Sequence, residues 1–382
     1  MSFAKSKLPN VGTTIFTVMS ALANEHKAIN LSQGFPDFEV DAKLIDLVHQ
    51  AMRQGYNQYA PMPGYMPLRE MIAEKLYHTY NIEVNPDTEI TITSGGTEAL
   101  FDAIQAIVKP DDEVIIFDPA YDCYAPAVKL AGGKVVSIPL NPPHFSLDWN
   151  SIKASIHEKT VAILLNTPHN PTGTILKEAD IQNLIEIIKN TNLYLISDEV
   201  YEHLVFDNQI HHSVLRYPQL RQRSFAIYSF GKTFHTTGWK IGYCVAPPEL
   251  TQEFRKIHQF VTFASPSFVQ VAYAAYLKDP EHYLTIPHFY QRKRDIFRKL
   301  LQENTQFDVL PCEGSYFQLV SYQRITDEPD TEFAIRMTKE IGVAAIPVSV
   351  FYQNQEQNRL LRFCFAKKED TLHSAAERLS KL

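Results

Sequence analysis

SFAIYSFGKTFHTTGWKIGY (residues 224–243) places a lysine directly after an apolar, β-rich run, and a second apolar run follows. Its Gly-Lys-Thr tripeptide is reminiscent of a nucleotide-binding P-loop, but that motif needs a glycine five residues before the Gly-Lys pair. Residue 226 is Ala, and no long helix follows to hold phosphates at its amino terminus. The segment therefore predicts a strand, a turn that presents Lys232, and a second strand, with Ser229 and Lys240 as candidate phosphate ligands. Taken alone, such a lysine is more often a solvated surface residue.

Short β-rich runs alternate with helical patterns on both sides of this segment. Most of the runs are nearly all apolar, which is typical of strands that are covered on both faces. Helix candidates at 97–108, 124–131 and 179–190 lie between them, so the chain predicts an α/β sheet with helices on both sides. The runs are EITIT (89–93), EVIIFD (113–118), KVVSIP (134–139), TVAILLN (160–166), LYLIS (193–197), SFAIYSF (224–230) and KIGYCVAP (240–247).

The pattern changes after residue 250 to long helices and a few strands, which indicates a second, smaller α+β domain. We expect an N-terminal segment over 1–45 that joins the small domain, a large domain over 46–285 and a C-terminal small domain over 286–382. Within the C-terminal part we expect strand-like stretches at 307–322, 344–351 and 360–366 and helices at 270–277, 290–303, 331–341 and 371–382.

Composition limits the class of protein. The 382 residues, with 45% hydrophobic and 21% charged side chains, suit a soluble globular enzyme of two or three domains or one large domain with an appendage. A net charge of -7 argues against nucleic acid as the main partner. The four cysteines are widely spaced and predict reduced, mostly buried thiols. Neither a signal peptide nor an apolar run long enough for a membrane span is recognisable, so we expect a cytoplasmic protein.

ITITSGGTEALFDAI (90–104) is a second segment that can bind an anion. Its strand ends in Ser-Gly-Gly, and we expect Thr97 to open a helix. The free N–H groups at such a helix start, here those of Gly96 and Thr97, attract phosphate. The alternative is a simple turn in which Thr97 caps the helix, and the two interpretations are compatible.

Two more segments end apolar strands in polar groups. In VAILLNTPHNPTG (161–173), Asn170 precedes a proline, which favours an extended conformation that can aim its amide into a pocket. A loop chosen only for its turn chemistry is about as plausible there. In LYLISDEVYEHL (193–204), Asp198 needs a cationic or hydrogen-bonding partner if it is buried, and Tyr201 can reach the same pocket if a helical turn begins there. A helix-capping role for Asp198 is the alternative, at even odds.

Together these groups match the requirements of one cofactor. A strand-end lysine, a strand-end aspartate, a glycine-started helix, an asparagine in a Pro-rich turn and a Ser/Lys pair make up a complete pyridoxal phosphate site. The chain resembles the fold type I pyridoxal phosphate enzymes and, within them, the class I aminotransferases, in their methionine aminotransferase branch near the kynurenine and glutamine aminotransferases. The matching blocks are NLSQGFPDF (30–38), NQYAPMPGYMPLRE (57–70), TSGGTEALF (93–101), FDPAYDCYAP (117–126), NTPHNPTG (166–173), SDEVYEHL (197–204), SFGKTFHTTGWKIGY (229–243) and RFCFAKKEDTL (362–372).

The resemblance implies a large domain with a mixed, mostly parallel seven-stranded sheet that binds pyridoxal 5'-phosphate, and it implies roles for single residues. Lys232 would hold the cofactor covalently and move the substrate's proton, and Asp198 would pair with the pyridine nitrogen. Asn170 and Tyr201 would hydrogen-bond the cofactor's phenolic oxygen, and Tyr121 would stack on the ring. Lys232, Asp198 and Tyr201 are thus the expected catalytic residues.

The phosphate group would meet the backbone N–H groups of Gly96 and Thr97, the hydroxyl of Ser229 and the ammonium of Lys240. The family often has arginine at the last position, so a point charge replaces a bidentate fork there. Tyr59 would reach the phosphate in a neighbouring subunit, which implies a homodimer with shared active sites.

For the substrate, the resemblance implies that Arg362 binds the α-carboxylate through paired hydrogen bonds, with Gly34 and Asn170 adding contacts. Phe16 and Tyr59 would line an apolar, aromatic side-chain pocket. No second arginine is assignable for a dicarboxylate, so we expect methionine and aromatic donors and a ping-pong exchange with a 2-oxo acid. Kynurenine or glutamine–oxo acid aminotransferase, with a cysteine-conjugate β-lyase side activity, is the alternative.

Two interpretations from other classes are weaker. A cofactor-binding transcription regulator needs a separate DNA-binding module, and the family match leaves no room for one. A metal site at the adjacent His211 and His212 lacks a recognisable ligand spacing, so we expect a solvated loop pair and no metal.

Overall fold

The computed structural model describes residues 5–382, so the first four residues of the predicted N-terminal segment lie outside the described residues. The strands are β1 (Ile29–Asn30), β2 (Ile90–Thr93), β3 (Glu113–Asp118), β4 (Lys134–Pro139), β5 (Thr160–Asn166), β6 (Tyr194–Asp198), β7 (Ser224–Ser229), β8 (Gly242–Val245), β9 (Asp308–Val309), β10 (Phe317–Ser321), β11 (Val343–Ala344), β12 (Ile346–Pro347) and β13 (Leu360–Cys364).

The helices are α1 (Ile15–Glu25), α2 (Ala42–Arg53), α3 (Met66–Tyr80), α4 (Gly95–Ile107), α5 (Tyr124–Leu130), α6 (Trp149–Ala154), α7 (Glu178–Asn190), α8 (Pro218–Arg221), α9 (Phe230–Thr233), α10 (Pro248–Val261), α11 (Ser267–Tyr276), α12 (Glu281–Leu284), α13 (Ile286–Asn304), α14 (Asp330–Arg336) and α15 (Glu369–Leu379). A π-helical turn over Met337–Ile341 continues α14. In the described part of the chain, no helix combines the length and the apolar character that crossing a bilayer requires.

A seven-stranded sheet forms the centre of the fold, in the order β2-β8-β7-β6-β5-β3-β4. The strands from β7 to β4 pair in parallel, whereas β8 runs antiparallel to both β2 and β7. Each of its strands corresponds to one of the seven apolar runs. The predicted α/β fold with a mixed, mostly parallel sheet is confirmed.

Both faces of this sheet are buried, which explains why its strands do not alternate in polarity. On β5, Ile163 and Leu165 pack into one hydrophobic cluster, and Ala162 and Leu164 pack into another on the opposite face. Helices supply the other half of each cluster, and α4 packs against α10 on one face. A strand covered on both sides has no solvent-facing position for a polar residue.

A smaller antiparallel sheet, in the order β12-β13-β10-β9, lies with α13 and α15 in the C-terminal part of the chain. A third hydrophobic cluster fills this part, and it includes Met19 and Leu31 from the N-terminal segment. The two-residue strand β1 pairs in parallel with β11 and ties that segment down. The domain boundaries at 45 and 285 stay predictions.

Two of the predicted strand regions are shorter than expected. The stretch 307–322 contains only the short β9 and β10, because the residues between them form the loop that reaches the candidate site. The stretch 344–351 contains parts of β11 and β12 and then a 3₁₀ turn over Val348–Phe351. Apolar content alone does not separate a buried loop or turn from a strand.

A buried ion pair joins α3 to the turn after β6. Lys75 Nζ lies 2.6 Å from Glu202 Oε1, and the two side chains are only 1% and 3% exposed. Tyr80 donates a 2.6 Å hydrogen bond to the other carboxylate oxygen of Glu202. Burial alone would raise the pKa of Glu202, but the charge of Lys75 and these hydrogen bonds lower it to about 2. The pair is therefore ionic and fully enclosed.

His211 and His212 are not a solvated pair, so that prediction is wrong. His211 is buried, and its Nε2 lies 3.0 Å from Glu199 Oε2. His212 Nδ1 lies 2.5 Å from the Tyr217 hydroxyl. The Glu199 carboxylate is the reason, because a buried acid next to β6 needs hydrogen-bonding partners and His211 provides one. The four cysteines are free, and three of them are buried, as predicted.

Candidate active site

The carboxyl ends of β5, β6 and β7 meet at one edge of the large sheet, where open α/β sheets bind ligands. A cavity of about 300 Å³ lies at this edge. It brings together every predicted site residue except Tyr59, namely Phe16, Gly34, Gly96, Thr97, Tyr121, Asn170, Asp198, Tyr201, Ser229, Lys232, Lys240 and Arg362.

Lys232 lies on the short helix α9 directly after β7, and its amine faces the cavity. Its Nζ donates hydrogen bonds to the Tyr316 hydroxyl at 2.9 Å and to the Gly34 carbonyl at 3.3 Å. Burial lowers the pKa of Lys232 to about 8, and the positive charges of Arg362 and Lys240 act in the same direction. At pH 7 about a tenth of this lysine is therefore a neutral, nucleophilic amine, far more than for an ordinary lysine with a pKa near ~10.4. The alternative interpretation of Lys232 as a solvated surface residue is therefore wrong.

Asp198 ends β6 and is buried at the base of the cavity. Tyr124 donates a 2.7 Å hydrogen bond to its Oδ2, and the Val200 backbone N–H donates to its Oδ1 at 3.2 Å. Burial raises the pKa of Asp198 to about 6, and these two hydrogen bonds oppose the rise. The carboxylate thus accepts from the turn that follows β6 and presents a negative charge to the cavity. The helix-capping alternative is wrong, because the described residues directly after β6 form a turn and not a helix.

The amino terminus of α4 forms an anion cradle opposite Asp198. The helix begins at Gly95, two residues before the expected Thr97, with Ser94 as its N-cap. A methyl group on Gly95 would come within 3.3 Å of Lys240 Nζ, so this ammonium lies directly over the helix start. At Gly242 a Cβ would lie 2.7 Å from the Gly95 carbonyl carbon, which explains why β8 carries a glycine beneath the cradle.

A buried histidine fastens the first turn of α4. His258 Nδ1 lies 2.7 Å from Glu98 Oε1 and 3.6 Å from Asp102 Oδ2, and its Nε2 donates to the Met62 carbonyl at 3.0 Å. Since a carbonyl only accepts and Nδ1 faces carboxylates, both ring nitrogens carry protons. Burial alone would lower the pKa of His258, but the two carboxylates raise it to about 9. Among the described residues, Glu98, Asp102 and His258 lie close enough together to hold a metal ion. The positive charge of the protonated His258 already balances the two carboxylates, as a metal ion would.

Arg362 comes from the small sheet and is 1% exposed. Its Nη1 donates to Asn170 Oδ1 and its Nη2 to the Ser32 carbonyl, each at 2.8 Å. Its Nε has no hydrogen-bond partner among the described residues. Burial lowers the pKa of Arg362 to about 10, so the guanidinium remains charged at neutral pH. A buried cation without a carboxylate partner is an unsatisfied site for an anion.

Aromatic rings pack around this guanidinium. The Arg362 Cζ lies 3.9 Å from the centroid of the Phe317 ring and 5.2 Å from that of Phe16. Tyr121 and Tyr201 line the same cavity, and burial raises the pKa of both hydroxyls, which stay protonated donors. The cavity therefore joins a carboxylate-binding end to an aromatic wall.

Tyr59 lies apart from the cavity of its own chain. It is 85% exposed, and its ring contacts that of Phe263 edge to face at 5.7 Å between centroids. Within the described chain it therefore contacts neither the anion cradle nor Arg362. Its predicted role toward a neighbouring subunit stays a prediction.

Sequence reasoning missed three residues that shape the site. Tyr124 holds Asp198, Tyr316 holds Lys232, and Asn166 fastens the Asn170 loop by accepting from the Asn170 N–H at 2.7 Å. Tyr124 stands in FDPAYDCYAP, a block noticed only for its likeness to the family, and Tyr316 lies in the stretch 307–322, which was expected only to be strand-like. Their partners lie 74 and 84 positions away, and no local pattern encodes such contacts.

The residues present fit pyridoxal phosphate. The helix start with Lys240 and Ser229 suits a phosphate dianion, and Asp198 suits a protonated ring nitrogen. Asn170 accepts from Arg362 through its Oδ1, so its amide Nδ2 is the group left to donate to an anionic oxygen, and Lys232 can bond an aldehyde carbon. Each polar part of the group thus meets a complementary side chain.

The model of the aminotransferase class I and II family matches residues 26–379. The chain is 52% identical over 379 residues to methionine aminotransferase of Escherichia coli K12, which covers 99% of this chain and 98% of that protein. It is 33% identical to human kynurenine–oxoglutarate transaminase 1, over 94% of this chain and 93% of that protein.

The solved structures that this fold matches are also aminotransferases. The fold superposes on the crystal structure of the E. coli methionine aminotransferase YbdL with a TM-score of 0.97, 51% identity and complete coverage of both chains. It superposes on N-succinyldiaminopimelate aminotransferase of Mycobacterium tuberculosis with a TM-score of 0.95 at 36% identity, over 99% of each chain. With the lysine, aspartate and arginine of the cavity in place, the chain belongs to the class I and II aminotransferases, which depend on pyridoxal phosphate.

Proposed function

We propose that this chain moves the α-amino group of methionine, and of aromatic amino acids, to a 2-oxo acid by a ping-pong exchange. The buried, unpaired guanidinium of Arg362 carries the proposal, because it stands in the same cavity as Lys232 and lacks a carboxylate. An amino or oxo acid supplies that carboxylate in both half-reactions. The 52% identity to an enzyme named methionine aminotransferase supports the same donor.

The lining of the cavity favours an uncharged, apolar side chain on the substrate. Phe16, Leu100, Val200 and Phe317 supply apolar surface. The cations that line the cavity within the described residues are Lys232, Lys240 and Arg362. In the proposed function Lys232 serves the reaction, Lys240 the phosphate and Arg362 the α-carboxylate. No cation of the cavity lining is left to pair with a second carboxylate on the substrate, so the side chain of aspartate lacks a partner there.

The groups of this chain divide the chemistry among themselves. Bound pyridoxal phosphate supplies an electron sink for the pair released when a Cα–H bond breaks. Lys232 accepts and returns that proton at its Nζ, which its lowered pKa allows near neutral pH. Asp198, a carboxylate above about pH 6, stabilises positive charge on the ring nitrogen. Asn170 and Tyr201 donate hydrogen bonds and hold the reacting groups in register.

We further infer that the enzyme works as a homodimer in the cytoplasm, with Tyr59 completing a neighbouring active site. The exposed aromatic surface supports the dimer. Tyr59 and Phe260 are 85% and 84% exposed, and Phe263 beside Tyr59 is 41% exposed. Exposed aromatic clusters of this kind mark interaction surfaces. A Tyr59→Phe variant should then weaken cofactor binding without changing the fold.

The proposal is tested by a half-reaction assay on the purified holoenzyme with methionine, phenylalanine, kynurenine, glutamine and aspartate, followed by the absorbance of the bound cofactor. Methionine should convert the cofactor fastest and aspartate slowest, and a 2-oxo acid should restore the original spectrum. A rate for kynurenine far above that for methionine would replace the proposed donor. Arg362→Lys is the matched variant: it keeps the charge but loses the paired hydrogen bonds, so it should raise KM for every donor by about 10²-fold.

A further inference from the structure

Tyr316 is the residue whose hydroxyl contacts both the reactive amine of Lys232 and the Gly34 carbonyl. It precedes β10 in the small sheet and is fully buried, and its hydroxyl lies between Lys232 on α9 and Gly34 of the N-terminal segment. The Lys232 Nζ lies 2.9 Å from this oxygen, and the Gly34 carbonyl lies 2.5 Å from it. One hydroxyl thus joins three separate parts of the chain at the reacting amine.

The protons at this junction can be counted. The Gly34 carbonyl can only accept, so the Tyr316 hydroxyl donates its single proton to it. Toward Lys232 the same oxygen is then an acceptor. A neutral lysine amine has two N–H donors and one lone pair, and its two donors are directed to the Tyr316 oxygen and the Gly34 carbonyl. The lone pair is the part of the amine that stays uncommitted.

We propose that Tyr316 is a positioning residue that holds the amine of Lys232 by its N–H groups, so that the lone pair is free to accept the proton of the substrate's Cα. The inference rests on the proposed aminotransferase function and adds a residue to it. In that step the substrate's Cα–H bond would break and its proton would form a new N–H bond on Lys232 Nζ, while the bound cofactor would take up the electron pair of the C–H bond. No group other than substrate, cofactor and lysine gains or loses a proton.

The hydroxyl has a role that is separable from the ring. The Tyr316 ring packs against Tyr201 at 5.1 Å and against Tyr290 at 5.9 Å between centroids. A Tyr316→Phe variant keeps those contacts and removes only the hydroxyl, which accepts from Lys232 and donates to the Gly34 carbonyl. Tyr290→Phe is the matched control, because Tyr290 is fully buried in the same cluster but its hydroxyl contacts His235 Nδ1 at 3.0 Å.

The first readout does not depend on catalysis. In cofactor-free protein, the pH dependence of Lys232 acetylation by acetic anhydride, followed by mass spectrometry of the modified peptide, reports the pKa of this amine. Loss of an acceptor destabilises the ammonium, so Tyr316→Phe should lower that pKa by about one unit. The titratable or charged groups that face Lys232 are Asp198, Tyr201, Lys240, Arg362, Cys364 and Tyr316, and all but Tyr316 are unchanged in the variant.

The second readout is a split between kinetic constants in the holoenzyme with its best donor. Tyr316→Phe should lower kcat by about tenfold and leave KM unchanged, since the hydroxyl acts on the lysine and not on the substrate. Tyr290→Phe should change neither constant nor the pKa. An unshifted lysine pKa in Tyr316→Phe, or equal shifts in both variants, would overturn the inference. A failure of methionine as donor with the pKa shift intact would instead overturn the proposed substrate alone.

Discussion

Lys75 and Lys232 are both desolvated by the fold, yet their surroundings differ in two respects. Lys75 has a carboxylate at 2.6 Å and is sealed from solvent. Lys232 has two neutral acceptors, the Tyr316 hydroxyl and the Gly34 carbonyl, and it opens onto a cavity. The contrast shows that enclosure alone does not make a lysine reactive. Burial lowers the pKa of both amines, but the Glu202 carboxylate opposes that shift at Lys75, whereas the cations Arg362 and Lys240 add to it at Lys232.

The largest effect should come from removing the reactive lysine. Lys232→Ala should lower kcat by at least about 10⁴-fold, since it removes both the nucleophile and the acid–base group. The free energy of unfolding should stay within about 0.5 kcal/mol, because the variant deletes a partly desolvated amine that has no ionic partner. Urea unfolding beside the half-reaction assay checks both expectations. Residual turnover near the wild-type rate would contradict the assignment.

Removing the structural lysine should have the opposite profile. Lys75→Met leaves the Glu202 carboxylate buried without its cation, so we expect a loss of about 3–5 kcal/mol in unfolding free energy and little change in KM. The pKa of Glu202 is depressed to about 2, so its contribution is present above its unfolded value near ~4.3 and is lost as the pH falls toward 2.

The matched control is the double variant Lys75→Met with Glu202→Gln, which removes both charges. It should recover part of the stability, because no uncompensated ion remains. In Lys75→Met, burial without the cation raises the pKa of Glu202, so this carboxylate takes up a proton on folding. The loss of unfolding free energy caused by Lys75→Met should therefore shrink between pH 6 and pH 4. Equal stability of the single and double variants would show that packing, not charge, explains the loss.

His258 extends the comparison to a buried cation with two carboxylates. Its folded pKa of about 9 lies above the unfolded value near ~6.5, so its stabilising contribution is complete below pH 6.5 and disappears as the pH rises through 9. The wild type should therefore lose on the order of 2 kcal/mol between pH 6.5 and 9.5 relative to His258→Gln. Urea unfolding of both proteins at the two pH values measures the difference. Parallel pH profiles would exclude an imidazolium at this position.

The smallest effect concerns Asp198, the buried carboxylate without a permanent cation. Tyr124→Phe removes a hydrogen bond that lowers its pKa, so the pKa should rise above about 6. At pH 6 less of Asp198 is then ionised, and cofactor affinity should fall about fivefold, with little change at pH 8. Titration of cofactor into the apoprotein at both pH values tests this. Equal losses at the two values would indicate a packing effect instead.

The strands of the large sheet and the cavity residues could be predicted because their signals are local. A run such as TVAILLN (160–166) carries its own burial pattern, and Asp198 and Lys232 stand directly at strand ends. Tyr316 and Tyr124 could not be predicted as neighbours of those two residues, because the contacts depend on how distant elements dock.

The prediction for His211 failed because it considered only the adjacent residue. His212 suggested an exposed pair, while the decisive partner is Glu199, 12 positions earlier in the chain. The loop between β9 and β10 was also expected to be strand, because apolar residues flank it on both sides. Polar side chains with distant partners are thus the least predictable part of this molecule.

The hydrogen bonds that close the cavity also have a consequence for how the protein folds. Arg362 donates to the Ser32 carbonyl across 330 positions of sequence, and Lys232 to the Gly34 carbonyl across 198. Contacts of such long range form late, because the entropy of closing the intervening chain has to be overcome first. During refolding, the large sheet should therefore recover its circular dichroism before the chain regains affinity for an amino acid, and a collapsed intermediate without a carboxylate site should precede the native state.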